Sequence, residues 1–377
     1  MKIVFCWWTF EGHFAACWRT LARLRNVEVA IIAQRPDPES LAPYDPKVLA
    51  GLECSLCEPA QLTDPEFILE RITALKPDVV AVPGWVNPAP YWALKQPALE
   101  DVGVVMASDT PYRGTLRQLV GGSWKRGDFE RVDQVVVAGE RAWQLAQRLG
   151  FAEDQVRRGM YGVDAKALKN LWTERTRLHA QWPKRFMYVG RYVDIKGIDE
   201  LAEGYRRYRK EVGAKNAWEL VCCGKGPLEK TLAAAGTTLR GFVQPPDMPT
   251  QWADAGAFVI MSRYEPWCQA LVEAACAGLP LICTDSVGAA PEMLRPFYNG
   301  LLVPTGDSYA LCQAMVWLHD HRERLVEMGR RSRELGTAYG SDMWAERWLA
   351  AAVAAQRRRR GILKAKAKRR RGLGLWG

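Results

Sequence analysis

The sequence lacks long apolar runs and is poor in histidine. No stretch of eighteen apolar residues occurs, and a helix that spans a bilayer needs about 20 of them, so a protein with membrane-spanning helices is excluded. Only four histidines are present, and Cys54 and Cys57 form a single CxxC without a second pair. A zinc site needs about four such ligands, so we predict no metal site.

The start of the chain does not fit a signal peptide. Its apolar stretch is interrupted by Glu11 and His13, and Gly12 suits a turn from a strand to a helix. Most of the ten cysteines, such as Cys6 and Cys222, sit inside apolar segments, where a free thiol behaves as a small hydrophobic group. These features favour a reducing compartment, and we expect a cytoplasmic protein.

The net positive charge is concentrated near the C-terminal end. The formal net charge is +10, and ten cations without a single acid lie between Arg357 and Arg371. We predict a basic, disordered tail over 357–377. Its interleaved leucine and tryptophan residues suit an anionic membrane surface, at the inner face of the membrane, better than nucleic acid. A solvated tail without a partner is the alternative.

Short apolar segments rich in β-branched residues alternate with helical patterns, and the alternation restarts after a polar stretch at 164–184. We predict strands at 2–8, 27–33, 78–82, 102–107, 134–137, 186–189, 219–223, 258–261 and 281–284. Such alternation indicates parallel sheets covered by helices on both faces. The predicted fold class is α/β, with two Rossmann-like domains that face each other across a cleft.

The length of 377 residues suits two domains of ordinary size. We predict one Rossmann-like domain over 1–165 and a second over 166–340. A helix over 341–356 is expected to return to the first domain. Ligand-binding loops should follow the strands of each domain, because ligands of such sheets bind outside the carboxyl ends of the strands.

Two cations follow the first strand of the second domain. Gly190 and Arg191 come directly after that strand, and Lys196 opens a helical pattern. Their charges would converge on one point, where the fork of an Arg and the point charge of a Lys suit a diphosphate near a helix N-terminus. Solvated loop cations are the alternative for either residue.

Two glycines and two glutamates follow the next strands. Gly224 and Gly226 precede a helix and would let the backbone approach a ligand closely. Glu265 lies just before Pro266, which suits a first helical position, and Glu273 lies about two turns inside the helix. Roughly 10 to 12 Å would separate the two carboxylates, a distance that suits two ends of one extended ligand. A surface position is the alternative for Glu273.

In this order and spacing, the three elements resemble the retaining glycosyltransferases of the GT-B type, in the large family four of nucleotide-sugar-dependent enzymes related to sucrose synthase. The resemblance covers residues 185–310. It implies a hexosyltransferase-type enzyme of class EC 2.4 that acts with retention and without a metal. The C-terminal domain would hold the nucleotide sugar donor, and the N-terminal domain would hold the acceptor.

The resemblance also implies roles for single residues. Arg191 and Lys196 match residues that bind the donor diphosphate. Glu265 matches the glutamate that contacts the donor sugar, and Glu273 matches the one that binds the ribose. Val243 lies where such enzymes hold the nucleotide base, so it is a predicted backbone contact. The other predicted donor contacts are Gly190, Gly224, Gly226, Trp267, Cys268, Gln269 and Ala270.

Cys268 departs from the family pattern, because the family usually has glycine at this position. A side chain there would crowd the donor, whereas Gln269 could add a hydrogen bond. An unusual donor sugar or an altered geometry is therefore expected. Cys268 has no histidine near it in sequence, so it is not expected to act as a nucleophile. The predicted donor is a UDP-sugar rather than a GDP-sugar, and no permanently bound cofactor is expected.

The N-terminal half resembles the family only in its layout. Gly12 corresponds to a loop that approaches the donor phosphate from the opposite side. His13 either contacts the ligand or begins the first helix. Asp109 ends a strand where the family often has a histidine, so it could orient an acceptor hydroxyl or act as its base. An ordinary turn is the alternative for Asp109.

Aromatic residues are abundant, with sixteen tryptophans in the chain. Aromatic faces stack on sugar rings and bases, so we predict that Trp85 and Trp267 line the ligand site, with Tyr112 as a further cleft residue. Core packing is the alternative for any of them.

The function predicted from the sequence is transfer of a sugar from a nucleoside diphosphate sugar to an acceptor that the sequence does not identify. Two alternatives remain at this point. The chain could bind nucleotide sugars or associate with nucleic acid without transferring anything, or it could be a sugar-nucleotide epimerase of the same architecture. Hydrolysis of a nucleotide sugar would oppose the first alternative, and product formation without an acceptor would support the second.

Overall fold

The structure, a computed structural model, describes residues 1–8, 14–116, 118, 126–177 and 182–373. The chain forms two compact units. Unit 1 comprises Met1–Pro36, Leu49–Tyr161 and Asp342–Gly377, and unit 2 comprises Asp37–Val48 and Gly162–Ser341. Two of the boundaries lie within a few residues of the predicted ones at 165 and 340. The assignment of 37–48 to unit 2 is a feature that the sequence did not predict.

Unit 1 contains a seven-stranded parallel sheet in the order β3-β2-β1-β4-β5-β6-β7. Its strands are β1 Lys2–Trp7, β2 Glu28–Gln34, β3 Glu53–Cys57, β4 Val79–Pro83, β5 Gly103–Ser108, β6 Gln134–Val137 and β7 Val156–Arg158. The central strands are buried along nearly their whole length, since helices cover both faces of such a sheet.

The helices of unit 1 follow the strands in alternation. They are α1 Phe14–Ala22, α2 Pro59–Thr63, α3 Pro65–Leu75, α4 Ala89–Leu94, α5 Arg126–Phe129 and α6 Glu140–Arg148. The start of α3 illustrates how the sequence sets these bounds. Asp64 accepts hydrogen bonds from the N–H groups of Glu66 and Phe67, and Pro65 occupies the first turn, where its missing N–H costs nothing.

Unit 2 contains a six-stranded parallel sheet in the order β10-β9-β8-β11-β12-β13. Its strands are β8 Arg185–Val189, β9 Glu219–Cys223, β10 Thr238–Gly241, β11 Ala257–Ile260, β12 Leu281–Thr284 and β13 Gly300–Val303. Its helices are α7 Ala165–Arg177, α8 Ile198–Val212, α9 Glu229–Ala234, α10 Met248–Ala253, α11 Gln269–Cys276, α12 Ala290–Met293, α13 Ser308–Asp320 and α14 Leu325–Gly336.

The last helix, α15 Ser341–Leu373, runs through residues that were predicted to form a disordered tail. Its Trp344 and Trp348 rings pack 6.1 and 5.1 Å from Phe5 of the sheet. Further along, Arg359 is only 5% exposed and pairs with the fully buried Asp133, at 3.0 Å between its Nη2 and Oδ1. Part of the basic stretch is therefore anchored in unit 1, which corrects the expectation of a disordered segment from residue 357 on.

Both sheets have a point where the strand order reverses. In unit 1 it lies between β1 and β4, and in unit 2 it lies between β8 and β11. The helices on either side of such a point lie on opposite faces of the sheet, so a crevice opens there at the carboxyl ends of the two strands. Ligands of open α/β sheets bind in that crevice. The loops after β8 and β11 therefore border this crevice in unit 2.

Candidate donor site in unit 2

The loop after β8 presents a cation to solvent. The Tyr188 hydroxyl donates a hydrogen bond of 2.9 Å to the Arg191 carbonyl oxygen, which fixes the backbone of the turn. The Arg191 side chain is exposed, and its guanidinium has no ion pair or hydrogen bond with the residues that the structure describes. Arg191 is therefore available to an anion from solution.

The second cation of this loop meets the first glutamate. A short 3-10 turn over Asp194–Lys196 leads into Gly197, whose φ of 64° is left-handed. A Cβ at Gly197 would collide with the Met261 carbonyl oxygen, so only glycine allows this approach to the loop after β11. The Lys196 ammonium then donates to the Glu265 carboxylate, and both side chains are about seven-eighths buried, with exposures of 12% and 13%.

The predicted glycines have a role inside the protein. Gly224 and Gly226 have φ values of 151° and 158°, and a Cβ at either would collide with the backbone of the loop after β8, at the Gly190 or the Tyr192 carbonyl oxygen. The two loops are also hydrogen bonded, from the Tyr192 N–H to the Lys225 oxygen at 2.8 Å. The close approach that these glycines allow is thus an approach to another loop.

The helix after β11 starts later than the sequence indicates. Pro266 is not its first residue, because α11 begins at Gln269. Residues 265–267 are not helical and are bonded to the following loop: the Glu265 and Trp267 carbonyls accept hydrogen bonds from the Gly288 and Ala289 N–H groups, at 2.9 and 2.8 Å. The distance of 10 to 12 Å between Glu265 and Glu273, which assumed a continuous helix, therefore does not describe this segment.

Cys268 connects residues 265–267 to α11 in a strained conformation. Its φ and ψ are 89° and 79°, in the left-handed region that a side chain with a Cβ avoids. The residue is only 5% exposed, and burial raises the pKa of its thiol well above the ordinary value, with the Glu265 charge adding to the rise. The thiol is thus protonated at neutral pH, as expected for a residue that is not a nucleophile.

Glu273 lies inside α11, and its carboxylate is not bonded to any described residue. The side chain is partly exposed and has no hydrogen bond or ion pair with the described part of the chain. Burial raises its pKa to about 7 from an ordinary value of 4.5. A carboxylate in an apolar helix is unfavourable without a hydrogen-bonding partner, so this group is suited to accept hydrogen bonds from a ligand.

Three further predicted donor contacts lie at the start of α11. Gln269 donates from its amide nitrogen to the Gly162 oxygen at 2.6 Å, and its Oε1 is buried without a hydrogen-bond partner among the described residues. Ala270 is partly exposed in the first helical turn. Trp267 is only 3% exposed and packs 5.4 Å from the Tyr339 ring. The core-packing alternative thus describes Trp267 in this structure.

Val243, the predicted base contact, lies two residues beyond the end of β10. It is partly exposed, and the same holds for Phe242 and Gln244 on either side. Because β10 pairs in parallel with β9, its carboxyl end points the same way as those of β8 and β9. The Val243 backbone therefore lies at the same edge of the sheet as the loops that carry Arg191 and Lys196.

In unit 1, Asp109 directly follows β5 and is held by a tyrosine. The Tyr161 hydroxyl donates a hydrogen bond of 2.9 Å to its Oδ2. Burial raises the pKa of the Asp109 carboxyl, and the Tyr161 hydrogen bond partly offsets the rise. This contact was not predictable from the sequence, because Tyr161 lies 52 positions from Asp109.

The aromatic residues predicted in unit 1 are half-buried. Trp85 follows β4 at the reversal point, and its ring meets that of Phe129 edge to face at 5.7 Å. Tyr112 lies beneath the Arg148 guanidinium, 4.4 Å from its ring centroid. Each therefore has a packing partner within unit 1. The predictions for Gly12 and His13 lie outside the described residues.

The region that carries these residues matches a known protein family. Residues 183–321 match the family described as glycosyl transferases group 1. The match includes Arg191, Lys196, Glu265 and Glu273, and it covers the region, 185–310, that carries the predicted family resemblance.

Two similar proteins illustrate the range of the family. The GDP-mannose-dependent alpha-mannosyltransferase of Mycobacterium tuberculosis (strain CDC 1551 / Oshkosh) is 30% identical over 148 residues, which are 38% of this chain and 37% of that protein. The D-rhamnosyltransferase WbpZ of Pseudomonas aeruginosa is 27% identical over 226 residues, 55% of this chain and 56% of that protein. The chain spans about half the length, or less, of the curated relatives it matches.

The fold extends beyond the matched region. The crystal structure of Anabaena Alr3699/HepE in complex with UDP superimposes with a TM-score of 0.68, at 14% identity, over 94% of this chain and 100% of that one. The predicted α/β class with two Rossmann-like domains is thereby confirmed, and the structural neighbours are GT-B glycosyltransferases.

Proposed function

We propose that the protein transfers a sugar from a nucleoside diphosphate sugar to an acceptor such as a glycan or a lipid, with retention of configuration. One observation carries the proposal. Lys196 and Glu265, predicted to bind the diphosphate and the sugar of the donor, come from the loops after β8 and β11, the two strands that flank the reversal point of unit 2. Topology and sequence pattern thus point to the same crevice by separate arguments.

The proposed chemistry depends on charge at the leaving group. Departure of the nucleoside diphosphate places negative charge on its oxygens, and Arg191 and Lys196 would stabilise that charge in place of a metal ion. The first N–H groups of α11, at Gln269 and Ala270, lie in the same segment and carry the positive end of the helix dipole.

The neutral parts of the donor would be held by the remaining residues. The unpartnered Glu273 carboxylate suits two adjacent ribose hydroxyls, which donate hydrogen bonds. Glu265 would contact the sugar, and the Val243 backbone would contact the base. We propose a UDP-sugar as the donor. Several neighbouring structures contain UDP, whereas several relatives are named for GDP-mannose. The Cys268 side chain would narrow the space for the sugar.

In unit 1, Asp109 is the proposed residue for the acceptor. The Tyr161 hydrogen bond holds one carboxyl oxygen, and the other can accept from an acceptor hydroxyl. A raised pKa increases the basicity of the carboxylate, which suits a group that takes a proton or orients one.

Transfer assays with matched variants test the proposal. Arg191→Ala should abolish turnover of UDP-glucose or GDP-mannose and leave thermal unfolding unchanged. Lys196→Ala should also abolish turnover, but it should lower the unfolding temperature, because it leaves the largely buried Glu265 without this ion-pair partner. Arg206→Ala is the control, because Arg206 is an exposed cation of the same unit that pairs with Glu203 on its own helix. Unchanged turnover in both site variants would refute the assignment.

We also propose a cytoplasmic protein that attaches to an anionic membrane through the end of α15. No helix among the described residues is long and apolar enough to cross a bilayer. Lys364, Lys366 and Lys368 are exposed, and each cation near acidic lipid contributes about 1 kcal/mol.

The attachment is tested with vesicles rather than by truncation. A cut after residue 356 would remove the buried Arg359 along with the exposed lysines. A variant with all three lysines changed to Gln keeps Arg359 and should lose binding to vesicles that contain phosphatidylserine. Equal binding of both proteins to vesicles, or loss of duplex DNA binding instead, would contradict the membrane assignment.

A further inference from the structure

A short segment between β2 and β3 belongs to unit 2, although both strands belong to unit 1. We call this segment, Asp37–Val48, the strap. Its conformation is set by its own side chains: Asp37 accepts from the Glu39 N–H at 2.9 Å, and Asp45 accepts from the Lys47 N–H at 2.9 Å. Such local hydrogen bonds define turns, so the strap is a shaped element rather than a loose connection.

The Gln244 side-chain amide attaches the strap to the rest of unit 2. Gln244 donates from Nε2 to the Pro43 carbonyl at 2.9 Å and accepts at Oε1 from the Asp45 N–H at 3.1 Å. Both ends of the Gln244 amide are therefore used by the strap backbone. Beside this pair, the Tyr44 ring meets the Phe242 ring edge to face at 5.3 Å.

The place of attachment is the segment proposed to contact the nucleotide base. Phe242 and Gln244 flank Val243, so the strap holds the residue on each side of it. Backbone N–H and C=O groups distinguish bases only when their positions are fixed, because an ordering cost is otherwise subtracted from the binding free energy. A tie on both sides of Val243 supplies such a fixed position.

We propose that the strap positions the 242–244 backbone for the nucleobase, so that Gln244 sets base selectivity without touching the base. The inference rests on the proposed function, since it assumes a nucleoside diphosphate in unit 2. Gln244 is thus a positioning residue. Its loss should weaken recognition of the base and leave recognition of the diphosphate intact.

The experiment compares ligands with and without a base. Dissociation constants for UDP, GDP and inorganic pyrophosphate are measured by calorimetry for the wild-type protein, Gln244→Ala and Tyr44→Ala. We expect Gln244→Ala to weaken the preferred nucleotide about tenfold and to bring the UDP to GDP ratio close to one, with pyrophosphate unchanged. Gln313→Ala is the matched control, since Gln313 bonds to the exposed side of Glu211 on another face of unit 2.

The outcomes separate the inference from the proposed function. If the wild-type protein binds neither UDP nor GDP, the proposed function fails and the inference fails with it. If it binds a nucleotide and the UDP to GDP ratio is unchanged in both variants, the inference alone is overturned. Equal weakening of nucleotide and pyrophosphate would mean a general loss of structure and would also overturn it. Gln244→Glu, which keeps the acceptor and loses the donor, should give an intermediate ratio.

Discussion

The Lys196 ammonium is ion-paired with the Glu265 carboxylate, so the cation assigned to the donor diphosphate already has an anionic partner in the free protein. Both side chains are largely buried, and charges interact strongly where water is excluded. An incoming diphosphate must therefore share Lys196 with Glu265 and approach that carboxylate closely.

Replacing Glu265 by Gln removes the competing charge. We expect Glu265→Gln to bind the nucleoside diphosphate about tenfold more tightly, corresponding to about 1.4 kcal/mol. The intact nucleotide sugar should gain less, because the variant also loses its contact with the sugar. Calorimetry at low and high salt checks this, and the gain should shrink with salt. Glu219→Gln, which breaks a pair with Arg185 at the other end of the sheet, should show no gain.

The raised pKa of Glu273 predicts a pH dependence of nucleotide binding. Ribose hydroxyls donate hydrogen bonds, so the ionised carboxylate is the form that binds. Because burial raises its pKa to about 7, affinity for the nucleoside diphosphate should rise between pH 6 and 8 and then level off. In Glu273→Gln the affinity should be low and flat over the same range. A wild-type profile without this rise would contradict the role of Glu273.

The raised pKa of Glu273 also predicts a pH dependence of folding stability. The ionised carboxylate, which favours nucleotide binding, destabilises the folded protein. The pKa of Glu273 is about 7 in the folded protein and 4.5 ordinarily, so the folded state binds more protons between these values. Its contribution to stability is present below pH 4.5 and is lost as the pH rises to 7. Glu273→Gln should therefore be more stable than wild type by roughly 2 to 3 kcal/mol at pH 8, and less so at pH 5.5, in urea denaturation. Equal differences at both pH values would exclude this origin.

The left-handed backbone at Cys268 predicts that glycine is more stabilising than alanine at this position. In an ordinary position Gly is less stable than Ala by about 0.5 to 1 kcal/mol. At a φ of 89° the order should reverse, so Cys268→Gly should be more stable than Cys268→Ala by about 1 kcal/mol. Both variants lose the thiol, so the comparison isolates the backbone. Chemical denaturation measures the difference, and a more stable Ala variant would argue against strain.

The pair of Arg359 and Asp133 predicts that the basic stretch contributes to stability. Arg359 is one of two cations beside the buried Asp133, because the Arg131 guanidinium also lies 3.6 Å from its Oδ2. Removing Arg359 therefore leaves Asp133 with one cation and costs about 1.5 to 3 kcal/mol, the range for a hydrogen bond to a charged group. Arg359→Ala should show a loss of this size in thermal or urea unfolding. Lys366→Ala is the control, because Lys366 lies 3.4 Å from Glu100 and both are more than half exposed. That variant should change stability by less than about 1 kcal/mol. Similar losses in both would contradict the anchoring role.

The strands that the sequence predicts and those that it misses differ in their place in the sheets. All nine predicted strands are interior strands, whereas the four missed ones, β3, β7, β10 and β13, are the edges of the two sheets. An interior strand is covered on both faces and reads as a continuous apolar run, whereas an edge strand such as Thr238–Gly241 is partly exposed and more polar. Periodicity alone therefore identifies the centre of each sheet.

The part of the site that follows from the strand order was predictable from the sequence. Lys196 and Glu265 could be expected to meet because both follow strands at the same edge of one sheet. The conformation of Cys268 was not predictable, since it depends on hydrogen bonds from Gly288 and Ala289, about twenty positions away. The contacts of Gln244 with residues 43 and 45 lie about two hundred positions apart and leave no local pattern.

The strap also bears on how this architecture can recombine. Because unit 2 contains residues 37–48 as well as 162–341, a single junction near residue 161 does not exchange it as a whole. A hybrid built with one such junction would combine the strap of one parent with the 242–244 segment of the other. Such a hybrid would acquire the donor specificity of the second parent only if the strap backbone of one parent accepts the residue at position 244 of the other.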